Sequence, residues 1–106
     1  MKDNSFNDFI LDQLENISDI RIRAMFGGYG IYKGDIFFGI IYKDRLYFKT
    51  DKNTREQYFE QGMKPFQPNP KQILKTYYEV PVEIIENPEE LIVWAEQAVY
   101  AKNKKD

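Results

Sequence analysis

Carboxylates are the one abundant reactive side chain in this 106-residue sequence: seventeen residues are Asp or Glu, and there is no histidine and no cysteine. Losing both of the latter removes the usual general base near neutral pH, the commonest metal ligand, thiol nucleophiles, zinc thiolate sites and disulfides. Glu86, Glu89 and Glu90 are close enough to suggest a cation site, but they open a helical pattern, where negative charge complements the macrodipole. Glu79 stands in an otherwise apolar strand pattern, Tyr77-Tyr78-Glu79-Val80-Pro81, either on an exposed face or paired with a sheet arginine. No second acid lies at a readable spacing to share general acid–base work with it. Ser5 and Ser18 sit at helix edges, the threonines lack a base, and nothing marks Lys49 or Lys75 as desolvated enough for Schiff-base chemistry. The expectation is a non-enzyme with no cofactor and no metal. An enzyme acting on a small metabolite or RNA would need a pocket lined by Glu79 and a sheet arginine.

Groups suited to holding a partner are better represented. Between residues 20 and 55 eight Lys and Arg face three Asp, a local charge of +5 that leaves −7 for the rest of a chain whose total is −2. That asymmetry points to a polarised surface. Arg21 and Arg23 alternate with Ile20, Ile22, Ala24 and Phe26, and Arg45, Tyr47 and Lys49 alternate with Leu46, Phe48 and Thr50. Both runs read as strands with one side buried, so Arg21, Arg23, Arg45, Tyr47 and Lys49 form the candidate contact set. Basic groups interleaved with an aromatic suit phosphate contact and base stacking. The alternative is an ordinary solvated sheet face, where such groups discourage edge pairing.

Gly27, Gly28 and Gly30 fall within four positions of the segment MFGGYGIY, residues 25–32. A dinucleotide or phosphate loop requires a helix to follow. Here the chain continues as strand, and no Walker lysine appears. A tight turn or bulge between strands is the reading that fits.

The elements that must carry these residues follow from periodicity. Residues 5–17 read as a helix with a Ser5/Asp8 capping pattern and an apolar stripe of Phe6, Phe9, Ile10, Leu14 and Ile17. Strands are expected at 20–26, 29–32, 36–42, 45–50 and 73–80, the last ended by Pro81, with short turns at Lys33-Gly34-Asp35 and Lys43-Asp44 that require antiparallel neighbours. A short helix spans 53–61, capped by Asn53 or Thr54 and stopped at Gly62. Residues 63–71, with Pro65, Pro68 and Pro70, read as an extended connection. A final helix starts with Asn87 as cap and Pro88 at its first position, buries Leu91, Trp94, Ala95 and Ala98, and runs to about Lys102. The fold class is α+β: one domain over 1–102, with an antiparallel sheet of four to five strands, N-terminal, short middle and C-terminal helices on one face, and a polar tail at 103–106. The longest apolar run, Ile36 to Tyr42, is too short to span a bilayer, and MKDNSFND lacks the apolar segment of a signal peptide. A soluble, cytoplasmic protein is expected.

The chain resembles the N-terminal domain of the TfoX/Sxy family. The matching pieces are MFGGYGIY at 25–32, FFGIIYKDRLYFKTD at 37–51, FEQGMKPF at 59–66, YYEVP at 77–81 and PEELIVWAEQA at 88–98, in order along most of the sequence. The resemblance implies an α+β domain of a bacterial cytoplasmic regulator associated with DNA-uptake competence, acting with a transcription factor of the cyclic-AMP receptor protein type, with DNA, or with both. It transfers no agreed enzymatic activity and no agreed site residues. Competence regulators of the family carry a second, helical domain after this one, and nothing here resembles it, so a stand-alone copy is expected. A homo-oligomeric interaction domain without nucleic-acid contact is the alternative, since an exposed sheet edge can pair with its copy.

Overall fold

The computed structural model describes residues 5–25 and 27–103. Phe26 and tail residues 104–106, each covered by an expectation above, lie outside the described residues. Along the chain run α1 (Ser5–Gln13), β1 (Ile20–Met25), β2 (Gly28–Lys33), β3 (Ile36–Tyr42), β4 (Arg45–Lys49), α2 (Arg55–Glu60), β5 (Pro65–Asn69), β6 (Gln72–Glu79), α3 (Val82–Ile85) and α4 (Pro88–Asn103). The strands form one antiparallel sheet in the order β1-β2-β3-β4-β6-β5. This is the α+β class read from the sequence, with more elements than expected.

The additional strand is β5, within the segment expected to be a connection. Pro65 and Pro68 do not prevent it because β5 is an edge strand, where a missing N–H can face away from the ladder. The additional helix is the single turn α3, which begins directly after Pro81; the φ of −60° and ψ of 146° at Pro81 turn the chain out of β6 and into it. Gln13 of α1 donates to the Ile85 carbonyl of α3 at 2.8 Å, tying the two helices together.

The four helices of the described residues lie on one face of the sheet. Ile10, Leu14, Tyr58, Ile85, Leu91, Ala95 and Ala98 from that layer pack on Ile31, Phe38, Ile41, Leu46, Phe48 and Tyr78 from the strands. Trp94, buried as expected, meets the Tyr58 ring edge-on at 4.7 Å. Two expected core positions lie elsewhere. Phe9 is 41% exposed because α1 turns that side away from the sheet. Ala24 is exposed on β1, at the sheet's edge. α1 itself ends at Gln13, yet Leu14 and Ile17 remain buried because turn hydrogen bonds from Leu14 N–H to Ile10 O (3.0 Å) and Ile17 N–H to Leu14 O (2.9 Å) carry the chain on against the core.

The cap of α2 stands at its expected place but is built differently. Thr54 holds the cap position, as expected, but its side chain makes no capping bond; Asp51 Oδ1 instead accepts the backbone N–H groups of Asn53 and Thr54, both at 2.9 Å, and Asp51 N–H donates back to Thr54 Oγ1 at 3.1 Å. Gly62, at φ +74°, ends that segment, and Asn87 Oδ1 accepts from Glu90 N–H at 3.4 Å at the start of α4.

Candidate interaction surface

Directly opposed residues of antiparallel strands share a face, so the register of the sheet locates the contact set. Arg23 lies opposite Gly30, Gly30 opposite Ile40, Ile40 opposite Tyr47, and Tyr47 opposite Glu79. Arg21 opposes Tyr32, Arg45 opposes Tyr42, and Lys49 opposes Tyr77. All five candidate residues therefore point to the face away from the helices. They do not form one cluster. β1 and β4 are separated by β2 and β3, placing the two groups roughly 14 Å apart across the sheet at the usual strand spacing.

A second, mainly aromatic cluster fills the space between them. Ile40, Tyr47, Phe66 and Tyr77 are buried there, with Phe37 and Tyr42 half-buried against them. Ring centroids are 5.3 Å apart for Tyr32 and Phe37, 5.5 Å for Phe37 and Tyr77, 5.3 Å for Tyr42 and Phe66, and 4.7 Å for Tyr47 and Phe66, within the range of favourable aromatic pairing. Phe37 reaches this face because the β2–β3 register shifts: Ile31 pairs with Gly39 and Tyr32 with Phe37, so Phe38 is the extra residue and turns into the helix-side core.

The glycines make room for these rings. Gly27 takes the turn between β1 and β2 at φ +78°. Gly28 and Gly30 have no positive φ; their constraint is space. A Cβ at Gly28 would collide with the Ile41 carbonyl oxygen and press on the Tyr42 ring at 3.1 Å. One at Gly30 would meet Met25 Sδ at 2.6 Å and the Phe37 ring at 3.0 Å. The turn expected from the sequence is present at Gly27, and the neighbouring pair floors the aromatic cluster.

Cations surround it. Arg23 lies over the Tyr32 ring at 5.6 Å, Lys43 over Tyr42 at 5.4 Å, Lys49 over Tyr77 at 5.7 Å and Lys102, from the end of α4, over Phe37 at 5.8 Å. These are distances at which the ring quadrupole attracts a cation. Two arginines also hold carboxylates: Arg21 pairs with Asp19 at 3.2 Å, and Arg45 Nη1 donates to both oxygens of Glu79 at 3.1 and 3.2 Å. Tyr47 is only 8% exposed, so its ring is sealed under Phe66 and contact passes to the half-buried Tyr32, Phe37 and Tyr42. Burial, then the Glu79 carboxylate, raises the Tyr47 phenol above its ordinary range. Burial, with a smaller contribution from Tyr32, pushes Tyr77 up to about 12. Neither carries charge near neutral pH.

Phe37, Tyr42, Phe66, Tyr77, Lys43 and Lys102 were not among the residues picked from sequence. Strand alternation was enough to place Tyr42 and Tyr77; Phe37 was hidden by the bulge and Phe66 by the prolines around it.

A cavity of about 490 Å³ beside this face is lined by Arg45 and Glu79, together with Phe6, Phe9, Val82 and Glu86. That meets the geometric condition set for an enzyme, but the arginine and the glutamate are spent on each other. Among the described residues, no three potential metal-ligating side chains come together, and no helix is long and apolar enough to cross a membrane.

The family model of the TfoX N-terminal domain matches residues 12–102, a span that includes every strand, the bulged β3 and α4 to within one residue of its end. The chain belongs to the TfoX N-terminal domain family. No curated protein matches the sequence. In this TfoX domain the pieces that carried the resemblance have distinct places: GGYGIY and FFGIIYKDRLYFKTD form strands that contribute to both faces of the sheet, whereas PEELIVWAEQA lies in the helix that covers one of them.

Proposed function

We propose that this TfoX domain is a non-enzymatic regulatory binding module of a bacterial cytoplasm, acting on DNA or on a transcription factor of the cyclic-AMP receptor protein type through the helix-free face of its sheet. One observation carries the reading: among the described residues no helix packs on that face, and its aromatic strip is bordered on both sides by Arg21, Arg23, Lys43, Arg45 and Lys49. Half-buried rings with cations held over them offer flat apolar area and positive charge together, which suits an acidic partner surface.

The test is the double variant Arg21→Glu/Arg23→Glu, at exposed positions where folding is undisturbed. Binding to a short DNA duplex is titrated over a range of salt, and binding to purified cyclic-AMP receptor protein is measured alongside. Loss of two phosphate contacts lowers the salt slope by about 2. A weaker, flatter DNA titration identifies nucleic acid as the partner; an effect confined to the protein arm identifies the transcription factor. Unchanged binding in both arms rejects this surface.

Self-association is the second reading, favoured by one feature. β1 is a six-residue edge strand without proline, whereas the opposite edge, β5, carries Pro65 and Pro68. Sedimentation at several concentrations decides it: a stable dimer that shields Arg21 and Arg23 displaces the first reading.

A further inference from the structure

A second cavity, of about 550 Å³, opens where the end of β4 meets α2 and the last turns of α4, and it is lined by Lys49, Thr50, Asp51, Lys52, Arg55, Thr76 and Ala101. Its volume falls within the range of small-molecule sites. Three of the seven lining residues are cationic and one is acidic. Oδ1 of that acid, Asp51, accepts the backbone N–H groups that open α2.

The arginine is anchored. Thr50 is 1% exposed, and its hydroxyl donates to the Thr76 carbonyl at 2.8 Å while accepting Arg55 Nε at 3.1 Å. This chain of hydrogen bonds tethers the guanidinium through Nε and engages neither Nη group. A planar guanidinium fork matches phosphate oxygens bidentately, and a flanking ammonium adds charge without directional demand. Surface arginines ordinarily give up considerable rotamer entropy on binding; one already held through a buried threonine gives up less.

We infer that this cavity is a phosphate-binding site, with Arg55 as the bidentate ligand, Lys52 as the flanking charge and Thr50 as the positioning residue behind Arg55. The phosphate belongs either to a small nucleotide seated in the cavity or to a nucleic-acid backbone crossing it. The site is separate from the aromatic face, sharing only Lys49 with it, so it stands whether or not Arg21 and Arg23 contact a partner.

The experiment is titration of the isotope-labelled protein, followed by backbone amide NMR, with inorganic pyrophosphate, with ADP and with a single-stranded oligonucleotide as three separate probes. Expected are saturable shifts centred on Thr50–Arg55 and Thr76. Arg55→Gln and, independently, the exposed Lys52→Glu each weaken binding by about tenfold or more. Should Arg55→Gln prove unfolded, Lys52→Glu alone decides. Tighter binding of ADP than of pyrophosphate identifies a nucleotide; shifts with the oligonucleotide but not with ADP identify a backbone. The inference is overturned if no probe shifts these amides, if the shifts spread over surface lysines without saturating, or if both variants bind as the parent does. The Arg21→Glu/Arg23→Glu protein should bind pyrophosphate like the parent, which separates failure here from failure of the sheet-face reading.

Discussion

Leu46 and Phe48 are sealed beneath a layer of four helices, while Tyr47, which lies between them in sequence, is nearly as buried on the opposite face with no helix above it among the described residues. On the first side aliphatic stripes pack together with the rings of Phe38, Phe48, Tyr58, Tyr78 and Trp94, and small alanines let α4 approach the sheet, so Ala95 and Ala98 are fully covered. On the second, aromatic rings shield one another, with glycines beneath them and cations at their margins. The helix layer closes completely over the side chains beneath it; the strip of rings leaves Tyr32, Phe37 and Tyr42 partly accessible. Full enclosure and partial exposure are thereby divided between the two sides of the same strands.

Substitutions on the two sides should separate accordingly. The largest effect is Leu46→Ala, which removes a fully buried side chain and should lower unfolding free energy by about 2–5 kcal/mol in urea denaturation. Arg21→Glu/Arg23→Glu, measured the same way, should change it by no more than about 0.5 kcal/mol. Equal costs would erase the distinction between the faces.

Next come the glycines, where two mechanisms sit side by side. Gly28→Ala should cost about 1–3 kcal/mol through overpacking against Ile41 and Tyr42. Gly27→Ala should cost about 1 kcal/mol through its left-handed backbone, with open space around the new methyl. Asparagine, which tolerates that backbone, should recover much of the loss at 27 and deepen it at 28; thermal melts showing the reverse order would reassign both roles.

The tyrosines of the open face should register in alkali. Tyr77 keeps its proton up to about 12 when folded against an ordinary value of 10, so its contribution is complete below about pH 10 and is lost as pH rises from there toward 12. Stability of the parent should therefore fall over that window, and Tyr77→Phe should fall less steeply. Tyr47 and Tyr58, also raised by burial, keep some slope in the variant. Parallel urea midpoints across the window for both proteins would contradict burial of the phenol.

A comparably small effect belongs to Arg45→Ala. Its side chain is 60% exposed against 20% for that of Glu79, so solvent screening limits the pair to under about 1 kcal/mol, less in high salt. A larger, salt-independent loss would place Arg45 among the structural residues of this face.

Much of this was legible in one dimension. Alternation in Arg45–Thr50 assigned every side chain of β4 to its observed face, because strand period is a local property of the backbone. The same logic placed Arg21 and Arg23 outward, and the helical spacing of Leu91, Trp94, Ala95 and Ala98 identified the buried side of α4. Composition alone removed histidine and cysteine chemistry, and that holds in any fold. Other features depended on partners distant in sequence. β5 is a strand because β6 supplies its hydrogen bonds, which no reading of three prolines reveals. Phe37 and Phe38 divide between two faces because a bulge arises only when β2 pairs with β3. Gly28 and Gly30 are required by groups that arrive from neighbouring strands, the Ile41 carbonyl and the Met25 sulfur nearest among them, and the Thr50–Arg55 cavity exists because β4, β6 and α4 converge there. Periodicity is set by each residue's own backbone, whereas register, edge position and enclosure are set by what lies across the gap, and that is decided only when the chain has closed on itself.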